Sequence, residues 1–318
     1  MSERLLKPDL LPLSLWQSAN DLLFISPALS ELYCEAIDDL GLRELSGQRN
    51  SEDGPVGGLT KEKTEEHFAQ AYDGSVARVQ LAVLDPKDQV GKCSNSFMTQ
   101  LAGGKLLITD APSGCGAATF SFLSALAELR KCGIIPREPL DVTLIGAEIS
   151  EPARELAQTI LTRLKPSLAL QAINVKAQFY EWDVTNEVSN TNLIKQMIKA
   201  FDQNPKRLLI VANFSGFLKL KRKEAEKQIL ELLRYSSEEN SFGIWIEPQK
   251  NDAIQQGGLF SWLNGKIETA LKKFIKKKDL EKGVTHLKTS SSFELPLEAP
   301  NSAVVRLAVN ALKLNIND

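Results

Sequence analysis

The segment DAPSGCGAAT, Asp110 to Thr119, has the residue types and spacing best suited to chemistry. Gly114 and Gly116 allow backbone conformations closed to other residues, and they let a ligand approach the main chain. KLLITDA before them reads as a strand that brings the acid Asp110 to its end. ATFSFLSALAELRKCG after them reads as an amphipathic helix closed by Gly133. The start of such a helix offers unpaired N–H groups to a carboxylate or phosphate. The plainer explanation is a tight strand–helix turn with Asp110 as a helix-capping acid. Two well-known cofactor turns fit poorly. A dinucleotide turn, G-x-G-x-x-G, needs Gly or Ala where this chain has Thr119. A P-loop needs Gly-Lys-Ser/Thr, and no Lys or Arg follows before Arg130. Cys115 lacks a nearby histidine to activate it and reads as a small residue that fits the turn.

Further polar residues recur at the ends of apolar runs: Glu148 in GAEISEPARELA, Asp183 in EWDVTN, Asn213 in VANFSGF and Glu247 in SFGIWIEPQ. The ligand crevice of an open parallel sheet lies beyond the carboxyl ends of its strands, where all of these would sit. Each also has a structural explanation: a helix cap for Glu148, a turn acid for Asp183, a side-chain turn for Asn213, a strand terminator for Glu247-Pro248. A second cluster is His67, Phe68, Tyr72, Ser75 and Arg78. On a helix the last four share one face, bringing a phenol, a hydroxyl and a cation together beside an imidazole. Such a face can close over a bound ligand, with His67 or Tyr72 as catalytic groups and Arg78 toward the substrate. It can equally be an amphipathic helix with Phe68 and Tyr72 in the core.

The elements that must position these residues follow from hydrophobic period. After KLLITDA and its helix come DVTLIGAEIS, a buried strand, and EPARELAQTILTRL, a helix. NVKAQFYEWDV, RLLIVANFS and SFGIWIEPQ continue as strands, separated by NLIKQMIKAFDQ and EAEKQILELLRYS as helices. Strands alternating with helices imply βαβ units and a mostly parallel sheet. THLKTSSSFELPL and SAVVRLAVNALKL are two more strands with only EAPN between them. A parallel crossover needs a dozen or more residues, so these two form an antiparallel hairpin. The expected fold is α/β, a doubly wound, mostly parallel seven-stranded sheet ending in that hairpin. Residues 1–94 are read as a helical N-terminal cap, and 95–318 as the sheet domain. Within the cap, Leu15, Ala19, Leu22 and Leu23 fall near helical spacing, as do Leu29, Leu32 and Tyr33. KEKTEEHFAQAY through SVARVQLAVL is helical again, and residues 46–60 are a Gly- and Ser-rich loop.

In this order and spacing the motifs resemble those of the class I, Rossmann-like S-adenosylmethionine-dependent methyltransferases. That family places an acid at the end of its first strand and glycines at alternating positions after it. Here this is D-A-P-S-G-C-G, with Pro112 where the first glycine commonly stands. The resemblance spans about residues 95–314 and implies S-adenosylmethionine as cofactor, held by Asp110, Ala111, Pro112, Ser113, Gly114 and Gly116. It implies that Glu148 accepts hydrogen bonds from ribose hydroxyls, with Ile149 beside it. It implies that Asp183 meets the adenine amino group, with Trp182 and Val184 flanking the ring. Asn213 would face the cofactor, and Phe214 and Glu247 the substrate. The acceptor is not implied. Asn213-Phe214-Ser215-Gly216 has an Asn and an aromatic but lacks the prolines of the amino-methylating Asn/Asp-Pro-Pro-Tyr/Phe motif, and no Pro-Cys nucleophile appears. A non-catalytic binding scaffold on the same fold is the alternative, as is a nucleotide-dependent oxidoreductase, which Thr119 disfavours.

Composition limits the remainder. The formal net charge is −2, so no global basic field for nucleic acid exists. A local patch does: Lys272, Lys273, Lys276, Lys277 and Lys278 lie in the Lys-rich run 266–282. A solvated helix face explains it, and a nucleic-acid backbone contact is its functional reading. Two histidines, His67 and His286, leave little for a multi-histidine metal site, and no metal is expected. Four dispersed cysteines suit free thiols in a reducing compartment. No run approaches the roughly 20 apolar residues that cross a bilayer, and the N-terminus lacks a secretory pattern. The expectation is a cytoplasmic protein with no membrane partner.

Overall fold

The computed structural model describes residues 4–48, 58–201, 206–237, 241–249, 258, 261–262, 265–266 and 286–313. In chain order the first elements are β1 (Trp16–Gln17), β2 (Leu22–Leu23), α1 (Pro27–Asp39), α2 (Arg43–Ser46), α3 (Lys61–Leu84) and α4 (Gly91–Thr99). Then come β3 (Lys105–Asp110), α5 (Ala117–Lys131), β4 (Leu140–Ala147), α6 (Glu151–Ala169), β5 (Ile173–Tyr180) and α7 (Glu187–Phe201). The chain closes with β6 (Arg207–Ala212), α8 (Ser215–Tyr235), β7 (Phe242–Pro248), β8 (Leu287–Glu294) and β9 (Ser302–Lys313).

The strands form one sheet in the order β1-β2-β8-β9-β7-β6-β3-β4-β5. β3 to β7 are mutually parallel. The chain winds outward from β3 to β5, crosses back to β6, and winds outward again to β7. The reversal between β3 and β6 is a topological switch point, where a doubly wound sheet opens its crevice. β9 runs antiparallel between β7 and β8, as the short EAPN link requires. Seven strands form the body of the sheet, and the count among the described residues is nine, because the β1–β2 hairpin extends the β8 edge through parallel pairing of β2.

Alternation along each strand sends side chains into two cores. Leu106 and Ile108 of β3 and Leu208 and Ile210 of β6 join the core under α1, α3, α4, α5 and α6. Leu107, Leu209 and Trp245 face the other side, against α7 and α8. Both faces are covered, so the parallel strands read as unbroken apolar runs.

The N-terminal region differs from the helical expectation over residues 15–23. Leu15, Trp16 and Leu23 are buried, but as parts of a two-strand hairpin whose turn places Asp21 at φ 51°. Edge pairing to β8 outweighs a helical spacing that covers little more than two turns. Phe68, Tyr72 and Val76 of α3 belong to the same core as the sheet. α3 itself forms over the expected span, capped by Thr60 Oγ1, which accepts from Lys63 N at 3.3 Å, and it continues through Gly74. Residues 49–57 of the Gly/Ser loop and 267–282 of the Lys-rich run lie outside the described residues. Lys266 is described and pairs with Glu226 at 2.6 Å. Among the described residues no helix is long and apolar enough to cross a membrane.

Candidate functional site

The turn after β3 is held by its own backbone. Ser113 N donates to Ala147 O at 2.8 Å, and Gly116 N to Ser113 O at 2.8 Å. Gly114 and Gly116 have φ of 50° and 84°, in the left-handed region that side chains disfavour. Their roles differ. A Cβ on Gly116 would sit 2.2 Å from the Phe120 ring, so this glycine serves packing. A Cβ on Gly114 would meet nothing within 4 Å, so this glycine leaves open space beside the main chain.

Asp110 ends β3 and is 1% exposed. Its Oδ2 accepts from Thr119 Oγ1 at 2.8 Å and Thr119 N at 3.3 Å, while its Oδ1 is buried without a partner. Burial pushes its pKa up to about 7; the Glu148 charge adds to this, and the Thr119 bonds oppose it. Thr119, which spoils the dinucleotide pattern, is therefore the residue that orients this acid. Glu148 follows β4. Its Oε2 accepts from Gly114 N at 3.0 Å and its Oε1 from Ser150 N at 2.9 Å, which ties the glycine turn to the start of α6. Burial raises its pKa as well, against those bonds and Arg154. The α6 cap is Ser150, whose Oγ accepts from Ala153 N at 3.4 Å, so Glu148 is not the capping residue. Ile149 beside it is 40% exposed, an apolar surface at the rim of the site.

Several sequence expectations are corrected by packing. Trp182 and Val184 are buried in the α7–α8 core, and Trp182 Nε1 donates to Asn190 Oδ1 at 3.1 Å. The indole is a core side chain, with no face left for an adenine ring. Asp183 lies three residues beyond β5 rather than at its end, and its Oδ1 accepts from Thr185 N at 2.8 Å and Thr185 Oγ1 at 2.7 Å, a local side-chain turn. Phe214 is buried between Trp182 and the exposed Phe217, on which it stacks at 5.4 Å. Glu247 is fully buried. Its Oε1 accepts from Phe214 N at 3.0 Å and Trp245 Nε1 at 2.6 Å, and its Oε2 from Ser215 N at 3.1 Å. It caps α8 from the neighbouring strand and presents no surface to a substrate.

α3 crosses the carboxyl edge of the sheet and brings Arg78 of the N-terminal cluster onto it. Thr64 Oγ1 lies 3.1 Å from Ser150 Oγ, Ser121 Oγ donates to Val76 O at 2.8 Å, and Arg78 Nη1 donates to Asn213 Oδ1 just past β6. Tyr72 is 3% exposed, packed on Phe68 and Tyr33, and its phenol oxygen is buried without a partner. Burial first, then the neighbouring Cys115 and Tyr33, holds its pKa well above the ordinary value, so it keeps its proton and is available as a hydrogen-bond donor. His67 is half-buried, and burial lowers its pKa, which favours neutral imidazole. Ala111 is buried and Pro112 half-buried, both shaping the turn rather than offering polar atoms. Ser113 Oγ is another buried atom without a partner. The orphaned polar atoms were invisible in the sequence, because partner counting needs coordinates.

No protein-family model and no curated protein matches the sequence. Among solved structures the chain is similar to a Listeria monocytogenes protein assigned to the class I S-adenosylmethionine-dependent methyltransferases, at 12% identity and TM-score 0.34, over 90% of this chain and 86% of that one. It is similar to the glycopeptide N-methyltransferase MtfA at 12% identity and TM-score 0.29, over 67% and 72% of the two chains. It is similar to TehB from Haemophilus influenzae at 8% identity and TM-score 0.31, over 74% and 66%. These scores are low, so the fold rests on the strand order itself: a parallel β7-β6-β3-β4-β5 sheet flanked by the reversed β9 and then β8, a doubly wound, Rossmann-like α/β sheet.

Proposed function

We propose that the chain is an S-adenosylmethionine-dependent methyltransferase, with the cofactor across Gly114 and Glu148 and the acceptor toward Asn213 and Arg78. In this reading residues 1–94 supply a cover, through α3, for the methyltransferase domain 95–318. One observation carries it. Asp110 Oδ1, Ser113 Oγ and Tyr72 Oη are buried without partners around one glycine turn. An unsatisfied buried polar atom costs about 1–3 kcal/mol, and proteins tolerate a cluster of them where a ligand completes the bonds.

The residues fit the group. The turn at Gly114 leaves the main chain open, and Ile149 offers an apolar wall. Two carboxylates, Asp110 and Glu148, suit a cation and hydroxyl donors. When bound, the cofactor supplies a methyl on a sulfonium, already activated for transfer. The chain's task is to bind, orient and exclude water. Asp110 and Glu148 give the site a negative wall, Tyr72 donates a hydrogen bond, and neutral His67 can accept a proton.

Calorimetric titration with S-adenosylmethionine and S-adenosylhomocysteine, with NAD as control, tests the reading. Binding that Gly114→Asp abolishes is the expected result. A wild-type protein that binds neither adenosyl ligand would refute it and favour a partner-binding scaffold.

A further inference from the structure

Arg78 is a cation with a neutral partner at the carboxyl edge of the sheet. Its Nη1 is committed to Asn213 Oδ1, a neutral amide, and its Nε is buried without a partner. Among the described residues it forms no ion pair. The adjacent carboxylate, Glu247, attracts it at a distance, but all of Glu247's bonds are directed to α8 and Trp245. A guanidinium has five donors in a planar fork, and with Nη1 engaged the Nε–Nη2 edge remains, the edge that binds an oxyanion through two parallel hydrogen bonds. The second observation is Asn213. It holds φ 57°, a left-handed conformation that Asn adopts more readily than most residues, at the switch-point end of β6. Here it turns the amide onto Arg78 and fixes the fork.

Resting on the methyltransferase reading, we infer that Arg78, oriented by Asn213, is a carboxylate-binding subsite and that the methyl acceptor is a small carboxylic acid. Charge balance selects the ligand. Arg78 is one cation with one neighbouring acid, Glu247. A bound monoanion therefore adds one negative charge beside Glu247, whereas a phosphate dianion adds two and is repelled more strongly. Arg78 binds and positions the acceptor, and the reacting atom lies elsewhere on it.

The test uses the full chain as wild type, Arg78→Met and Asn213→Gly. Met retains the stem of Arg78 and removes the charge. Gly accepts the backbone of residue 213 and removes only the amide, so it reads the subsite even if Arg78→Met fails to fold. Each protein is titrated with S-adenosylhomocysteine, then with acetate, benzoate and inorganic phosphate, with and without that nucleoside. The carboxylates are expected to bind wild type better than phosphate. Their affinity should fall about tenfold or more in Arg78→Met and less in Asn213→Gly, while nucleoside affinity stays within about twofold. Equal carboxylate binding in wild type and both variants overturns the inference, as does no carboxylate binding to wild type. A large loss of nucleoside affinity in Arg78→Met also overturns it, because Arg78 would then hold the cofactor's own carboxylate. Absent nucleoside binding in wild type sinks the methyltransferase reading instead, and the carboxylate titrations without nucleoside still judge the subsite.

Discussion

Asp110→Asn separates what the site costs the fold from what it does for a ligand. The carboxyl is 1% exposed, and its pKa rises from 3.8 to about 7, first by burial. A raised carboxyl pKa means the folded protein resists ionisation more than the unfolded chain. Stability is therefore highest below about pH 4, falls as pH rises toward about 7, and is level above it. The interval is about three pH units at about 1.4 kcal/mol each, or about 4 kcal/mol in all. Asparagine has the same shape, still accepts from Thr119, and never ionises. The variant should match wild type at about pH 4 and exceed it by up to about 4 kcal/mol at about pH 8. Unfolding entropy of about 2.1 cal/mol/K per residue turns this into a Tm gain of about 6 °C for the whole chain. Scanning calorimetry at the two pH values reads the effect. The same variant should bind S-adenosylmethionine more weakly, since it lacks the charge. Wild-type affinity should drop about fivefold from about pH 7 to about pH 6, as Asp110 takes up a proton. A Tm at about pH 8 no higher than wild type would refute the account of Asp110 as a strained, ligand-directed acid.

The two glycines should respond differently to alanine. Gly116→Ala combines the left-handed backbone with a Cβ 2.2 Å from the Phe120 ring, and should lose about 3 kcal/mol in urea unfolding. Gly114→Ala, with nothing within 4 Å, should lose only about 1 kcal/mol yet weaken cofactor binding. Glu247→Ala leaves Phe214 N, Ser215 N and Trp245 Nε1 without an acceptor in a buried site. It should destabilise by about 3 kcal/mol or more and shift Trp fluorescence, whereas an unchanged unfolding midpoint would contradict the cap.

Much of the fold was legible because it is written in local patterns. β3, β4, β6 and β7 are short apolar runs between turn signals, and the intervening helices carry helical periodicity. The four-residue EAPN link compels a hairpin whatever surrounds it. β1 and β2 are two residues each, too short to outcompete a chance helical spacing. β8 and β9 both read as strands, but nothing local says that β9 rather than β8 lies against β7. Among the candidate site residues, the glycine turn, Asp110 and Glu148 were legible as a motif in order. Trp182 and Glu247 were legible only as positions near strand ends, and a position does not say which way a side chain faces.

By itself, then, the sequence determined the alternation of elements, the glycine turn and the acids that follow the strands, because these depend on neighbours a few residues apart. The tertiary structure decided which acids are free for chemistry. Trp245 and the α8 backbone claim Glu247, Thr185 claims part of Asp183, and Asn190 holds Trp182 in the core. It also brought Arg78 to Asn213, 135 residues away along the chain. Burial and partner count are properties of packed neighbours, and packing joins residues that sequence distance keeps apart.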